Sequence, residues 1–395
     1  MKKSPWRILA AATLVAIGAA IFLFAVSGNQ AAQRDFISYW AAGQQLTHRA
    51  NSYDGAVILP IERKAGYIGD RPLVMRNPPN ALFLAFPLGF AGPKAGLIFW
   101  SLLLLASLVL SIRLLWQLNG QSQDRLHLLG YCFAPVIACL IAGQVGIFLL
   151  LGITLFLYLR EKHPAAAGSA LLLCSIKPHL FVPFGLILLV WSSCYKAYRI
   201  LAGCAISLLA SSALAFAFDP QVWTHYRQMM SAARVQEEFI PTLSVVLRLS
   251  ITRMLPGYDA VLFQFAPEAL ACLWAIWYFW SKRVHWSWTE NGMVVLLVSV
   301  MCAPYAWFSD EAVLLPAVLA SLYCAQRADR SLIPFGVIAG AALIEILAGV
   351  QMTSPYYLWT TPAWLAWYLY ATSGPSAQQS TAHSADGEVT RPMHI

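Results

Sequence analysis

The sequence predicts an all-α polytopic membrane protein, and three observations predict it. Of its 395 residues, 59% are hydrophobic and only 11% charged, far from the composition of soluble globular domains. The hydrophobic residues gather into long apolar runs suited to helices that cross a bilayer. The basic residues recur in the short connections between those runs, as orientation signals do. The formal net charge of +8, from 26 Lys+Arg against 18 Asp+Glu, is therefore read as topology, and no nucleic-acid partner is expected. Eight cysteines (Cys132, Cys139, Cys174, Cys194, Cys204, Cys272, Cys302, Cys324) lie in or beside apolar segments without a CxxC pair, which argues against a zinc site or a disulfide framework.

At the N-terminus, Met1-Lys2-Lys3 and Arg7 precede an apolar run over 8–26. Its length exceeds the roughly 7–15 residues of a signal-peptide core, so a retained helix is expected although Ala25-Val26-Ser27 imitates a cleavage site. Residues 28–78, rich in polar side chains and in the turn formers Asn51, Asp54, Gly55, Gly66, Gly69 and Asp70, form a first external segment. A short apolar piece over 80–90 ends at Gly92-Pro93, and a full span follows over 96–116. Further apolar segments are expected at 126–142, 145–159, 165–176, 180–194 and 199–218. A second external segment, 219–258, carries two amphipathic helices, and the remaining spans fall at 261–280, 291–304, 312–325, 332–350 and 362–371. Residues 1–372 thus form one integral membrane domain, and 373–395, polar and aperiodic, a disordered cytoplasmic tail.

Arg113 with Arg125, Arg160 with Lys162, Lys196 with Arg199, Lys282 with Arg283, and Arg327 with Arg330 fall at alternate turns. Placing them all inside makes the 80–90 piece re-entrant or interfacial and gives about twelve spans with both termini cytoplasmic; a crossing there gives about thirteen and breaks the pattern. This map brings Asp35, the Arg76-Asn77-Pro78-Pro79 turn, Gly143-Gln144, Lys177-Pro178-His179, the loop after Phe218 and residues 305–311 to one external face.

The stretch Arg34-Asp35-Phe36-Ile37-Ser38-Tyr39-Trp40 follows the first span. An acid near a bilayer surface, among aromatics, is costly to desolvate and more often has a chemical task than one on a soluble loop. Read as a helix, the stretch puts Asp35, Tyr39 and Ala42 on one face and Phe36, Trp40 and Gly43 on the next. The expectation is a helix along the membrane surface, its aromatics in lipid and its aspartate facing a cavity.

Asp35-Phe36…Tyr39, the Asn77-Pro78-Pro79 turn, Gly143-Gln144, Lys177-Pro178 and Ala303-Pro304-Tyr305…Asp310 occur in an order and spacing that resemble glycosyltransferase family 87. These are polyprenyl-phosphate-sugar-dependent enzymes of the GT-C class and include mycobacterial mannosyltransferases of phosphatidylinositol mannoside synthesis. The likeness extends to about residue 316 and departs at Ala306-Trp307-Phe308-Ser309-Asp310, where mycobacterial members carry a histidine-containing stretch. No histidine role carries over from it. The resemblance implies a GT-C-type helical bundle and an aspartate base at Asp35.

Such a transfer needs a base for the acceptor hydroxyl and cations for a phosphate leaving group. Asp35 is the candidate base; a helix N-cap or an ion pair with Arg34 is its bland alternative. Lys177, where Pro178 stops the preceding helix, is a candidate phosphate ligand or a lysine snorkelling to headgroups. Arg76, Arg248 and Arg253 are rival phosphate ligands, whose guanidinium can grip two oxygens, or lipid contacts. Gln144 hydrogen-bonds the sugar or joins helices. Asp310, with Glu311, touches substrate or favours a helix N-terminus. His179 assists proton transfer or is a structural donor; Tyr39, Tyr53 and Tyr305 stack on a sugar or belong to the interfacial belt.

The function expected is transfer of a hexose, with mannose the sugar the resemblance suggests, from a polyprenyl-monophosphate donor to a hydroxyl of a lipid or glycan acceptor. It would proceed with inversion at the external face of a bacterial inner membrane, among membrane lipids, without metal or other cofactor. The chain has no DxD, GxxxxGK[ST], HExxH or GxSxG motif, so nucleotide-sugar transfer, ATP-driven transport, zinc proteolysis and serine hydrolysis lack support. The alternatives are a transporter or lipid flippase and, further off, a scaffold protein. Against transport stand the lack of a repeat between halves and the polar groups on one face instead of at the midplane.

Overall fold

The computed structural model describes residues 35–232, 242–255, 260–351 and 354–373. The first span expected over 8–26, Arg34 and all but the first residue of the expected tail lie outside them. Within the described residues the chain is helical and contains no strand. In order, the helices are α1 Phe36–Thr47 and α2 Gly55–Lys64; α3 Pro79–Phe90 and α4 Pro93–Leu118; α5 Ala134–Ala142; α6 Gly146–Leu159, α7 Pro164–Ile176, α8 Val182–Cys194 and α9 Tyr198–Phe218; α10 Val222–Ala232 and α11 Leu243–Met254; α12 Ala260–His285, α13 Asn291–Met301, α14 Phe308–Arg327 and α15 Ile333–Leu347; and α16 Thr360–Thr372. The amphipathic pair expected in the second external segment is α10 and α11.

Four of these, α4, α9, α12 and α14, are long and apolar enough to cross a membrane, while α3, α6, α7, α8, α13 and α15 are apolar but shorter. This is a helical membrane protein. The short members owe their length to breaks that the hydropathy runs conceal. The run at 126–142 divides at Phe133 into a 3-10 segment, Leu126–Cys132, and α5. α7 loses its α-helical register after Ala170 and finishes at Ile176, ahead of Pro178, which no helix can accommodate in its interior. α3, twelve residues with 3-10 turns at both ends, reaches about 22 Å at ~1.5 Å per α-helical and ~2.0 Å per 3-10 residue, against roughly 30 Å for a bilayer core. It does not cross.

α14 is buried on nearly all sides and forms the centre of the bundle. α9 and α12 instead turn Ile206, Leu209, Leu270, Leu273 and Trp277 outward, as helices against lipid do. Helix starts follow local chemistry. Pro93 and Pro164 occupy first helical positions, where a missing N–H costs nothing. Asp54 accepts from the Ala56 N–H at 2.9 Å at the start of α2, and Thr242 from the Val245 N–H at 3.2 Å at the start of α11.

The expectation for the Asp35 stretch needs correction. α1 forms where expected, but Phe36, Tyr39 and Trp40 are buried in protein, not in lipid. The cause is two glycines. A Cβ on Gly43 would lie 2.1 Å from the Ala85 carbonyl oxygen, and one on Gly89 2.3 Å from that of Gly43, so α1 and α3 meet backbone to backbone. Gln44 Nε2 and Trp40 Nε1 then donate at 2.8 Å to the Gly89 and Ala91 carbonyls at the end of α3, which have no helical partner of their own. Trp100 of α4 closes the other side, stacked on Tyr39 at 5.1 Å.

Candidate active site

Asp35 stands at the N-terminus of α1, but its side chain makes no capping bond. Its Oδ2 instead accepts a short hydrogen bond from Gln144 Nε2. Gln144 is aimed there by the turn that ends α5: Gly143 adopts φ +70°, the left-handed conformation that glycine takes without strain. The Gln144 N–H bonds back to the Cys139 carbonyl at 3.0 Å. A Cβ on Gly143 would come within 2.9 Å of Phe36 Cβ, so the turn lies directly on α1. The Tyr39 hydroxyl donates to Gln144 Oε1 at 3.3 Å, and Trp100 Nε1 donates to the Gly143 carbonyl at 2.8 Å. Asp35, Tyr39 and Gln144 are thus one network, with Trp100 behind it.

Lys177 is buried and does not snorkel; its Nζ donates to Asp310 Oδ1 at 2.7 Å. Asp310, fully buried, accepts the Trp307 N–H on Oδ2 at 3.1 Å. The double-proline turn fixes the strand of backbone that carries the lysine: Asn77 Nδ2 donates to the Ile176 carbonyl at 2.9 Å, and Asn80 Nδ2 to Ser175 Oγ at 2.8 Å. The Tyr53 hydroxyl closes this arrangement on the Asn77 carbonyl at 2.9 Å. Next along, the His179 ring lies 3.8 Å from that of Tyr305. Burial, with the Lys177 charge behind it, holds His179 well below the ordinary imidazole value, so the ring is neutral. Its buried Nε2 has no partner among the described residues.

Electrostatics join these groups into one site. Burial lifts the Asp35 carboxyl above the ordinary carboxylate range; the Gln144 hydrogen bond and the Lys177 and Arg76 charges pull it back in part, and the Asp310 charge opposes them. Arg76, exposed at the head of the Asn77-Pro78-Pro79 turn, bears on both Asp35 and Tyr305. Arg248 is buried and donates to Gln264 Oε1 at 2.7 Å, while Gln264 Nε2 donates to the Pro304 carbonyl at 2.6 Å. It braces the segment that carries Tyr305. Arg253, five residues along α11, turns about 140° away from Arg248 and is exposed; it is not brought to the site. Glu311 faces elsewhere, bonded to Thr360 Oγ1 at 2.6 Å.

Close backbone contact holds the two halves together. A Cβ on Gly146, at the start of α6, would lie 2.4 Å from the Ser309 carbonyl oxygen. Gly146→Ala is therefore expected to destabilise by about 1–3 kcal/mol, since neither backbone can yield. Gly185→Ala, inside α8 with no atom within 4 Å of the new methyl, should keep thermal stability or raise it, by up to about 1 kcal/mol. Melting curves in one detergent check both.

Among the described residues, no group of three or more His, Cys, Asp or Glu side chains is placed to hold a metal ion. Four residues at or beside the site lay outside the sequence reading: Trp100, Tyr226, and the pair Asp219 and His225, hydrogen-bonded at 2.7 Å. Trp100 was hidden in an unbroken span. Asp219 precedes α10 and His225 and Tyr226 lie in its first turns, and no motif in the sequence marks them.

The model of glycosyltransferase family 87 matches residues 76–304, more than half of the chain. The chain belongs to glycosyltransferase family 87. It is an enzyme that transfers a sugar, and it acts on a sugar donor and an acceptor. No curated protein and no solved structure matches it. The family 87 match takes in Arg76, Gln144, Lys177, His179 and Arg248, whereas Asp35, Tyr39, Tyr305 and Asp310 lie beyond its ends. Bonds from Gln144 to Asp35 and Tyr39, and from Lys177 to Asp310, tie these outlying residues to the matched part of the glycosyltransferase.

Proposed function

We propose that this family 87 glycosyltransferase moves a hexose, mannose first among the candidates, from a polyprenyl-monophosphate sugar to an acceptor hydroxyl at the external face of the membrane, with inversion. One observation carries the reading: a half-buried carboxylate, Asp35, held by Gln144, and a buried ammonium, Lys177, held by Asp310, bear on one another electrostatically. In the proposed reaction Asp35 takes the hydroxyl proton and the acceptor oxygen forms a bond to the anomeric carbon. The bond from that carbon to the phosphate oxygen breaks, and its electron pair leaves with the phosphate. Gln144 holds Oδ2 of Asp35, leaving Oδ1 for the proton. An ammonium carries more N–H donors than Asp310 engages, so Lys177 keeps donors for the phosphate, with Arg76 beside it. A single displacement accounts for inversion, and the prenyl tail would lie against apolar helices.

The test is transfer by the purified full chain in nanodiscs, using radiolabelled polyprenyl-phosphate mannose, glucose and galactose with a bacterial lipid extract. Label is expected to pass from one donor to a new product. If no donor is consumed with any acceptor while labelled lipid crosses the bilayer, the protein is a flippase and the reading fails.

A further inference from the structure

α10 begins three residues after Asp219 and packs on the turn at Pro79–Ala81. Its inward face carries Val222, His225, Tyr226 and Met229. The Asp219 side chain is only 7% exposed and has two partners: Oδ1 accepts the Gln221 N–H at 3.0 Å, and Oδ2 meets His225 Nδ1 at 2.7 Å. The first of these is an ordinary turn contact. The second is not required by the turn: it turns Nδ1 of the imidazole to the carboxylate and leaves Nε2 directed away from it. Among the described residues the His225 ring makes no other hydrogen bond, and its side chain is 19% exposed.

Beside it, the Tyr226 ring lies 5.4 Å from that of Tyr53, whose hydroxyl holds the Asn77 carbonyl. Asn77 in turn holds the backbone next to Lys177. The Tyr226 phenol also bears electrostatically on Tyr305. An interfacial aromatic belt accounts for Trp223, exposed on the same helix. It does not account for inward tyrosines beside an imidazole oriented by a buried acid.

We infer that His225, held by Asp219, forms with Tyr226 a second binding wall beside the Lys177 site, with the buried Tyr53 backing it, and that it takes a hydroxyl-bearing ring. An imidazole Nε2 so oriented exchanges a hydrogen bond with an O–H, while the half-buried Tyr226 ring offers a flat face to the C–H side of a pyranose. The Asp219 charge makes the wall a poor place for a phosphate, and Arg227 of the same helix points outward. The inference rests on the proposed reaction only in naming this ring as part of the acceptor; the wall itself is a carbohydrate site whatever the donor.

Binding is tested without turnover, by saturation-transfer NMR of methyl α-D-mannopyranoside and methyl α-D-glucopyranoside with the full chain in nanodiscs. At least one glycoside is expected to receive saturation from the wild type, with the signal lost in His225→Gln and Tyr226→Ala and kept in Gln228→Ala, on the outer face of α10. Tyr226→Phe, which keeps the ring, should retain most of it and guards against a folding defect. Where transfer is measurable with octyl α-D-mannopyranoside as acceptor, His225→Gln should raise KM for that acceptor about tenfold and leave KM for the polyprenyl donor unchanged. No saturation in the wild type, or equal saturation in His225→Gln, overturns the inference. A rise in donor KM instead of acceptor KM overturns its assignment to the acceptor. Wild-type transfer with unaltered His225→Gln kinetics sinks the wall alone, whereas saturation without any sugar transfer sinks the proposed reaction alone.

Discussion

Asp35→Asn is expected to lower the turnover of sugar transfer by about 10³-fold while the protein stays folded. The amide has the shape of the carboxyl and its oxygen can still accept from Gln144 Nε2, so the network with Tyr39 survives. What it lacks is basicity. The same substitution should leave stability equal or higher at pH 8, and the sign follows from linkage. Burial raises the folded-state value of Asp35 above its unfolded one. Its contribution to stability is therefore fully present below the unfolded value and lost as pH rises through the folded one. Asparagine removes that loss. For activity the sign is the reverse: the base works only deprotonated, so kcat/KM should climb with pH along a limb above the ordinary carboxylate range. Gln144→Leu, which withdraws a hydrogen bond favouring the charged form, should move that limb further up. A folded Asp35→Asn variant with wild-type turnover would remove Asp35 from the chemistry.

Helix positions were legible because apolar runs of this length have few other fates in a chain so poor in charge. α9 begins at Tyr198 and ends at Phe218, within a residue of the run read as 199–218. Crossing capacity was less legible, since hydropathy does not register a Phe133 break or a 3-10 finish before Pro178. The burial of Phe36 and Trp40 was lost for a different reason. Aromatics beside a membrane look alike whether lipid or protein covers them, and only the pairing of Gly43 with Gly89, 46 positions apart in the numbering, decides which. At the site, short motifs located Asp35, Gln144 and Lys177, but not who holds whom. Lys177 and Asp310 were read as separate ligands, and their ion pair spans 133 positions. Nothing in the spacing marks His225 and Asp219, because no sequence signal shows that α10 folds inward onto the turn at Pro79–Ala81.

That ion pair carries the second large effect. Lys177→Met leaves the fully buried Asp310 without its cation, and breaking a buried pair from one side costs about 3–5 kcal/mol. Loss of activity in this variant alone would therefore mean little. The informative protein is Lys177→Met with Asp310→Asn: no charge is stranded, and the asparagine oxygen can still accept the Trp307 N–H that Asp310 now takes. The two substitutions touch one contact and should be far from additive, so most of the lost melting temperature is expected to return. Activity is not. A phosphate leaving group would still lack the ammonium, and turnover should remain depressed by about 10²–10³-fold. Lys177→Arg, larger but still cationic, should keep more activity than the double variant while folding less well. Melting temperature and turnover measured on the same preparations separate the two roles: if the double variant recovers both, Lys177 serves the fold alone, and the phosphate must be held by Arg76 or by another group.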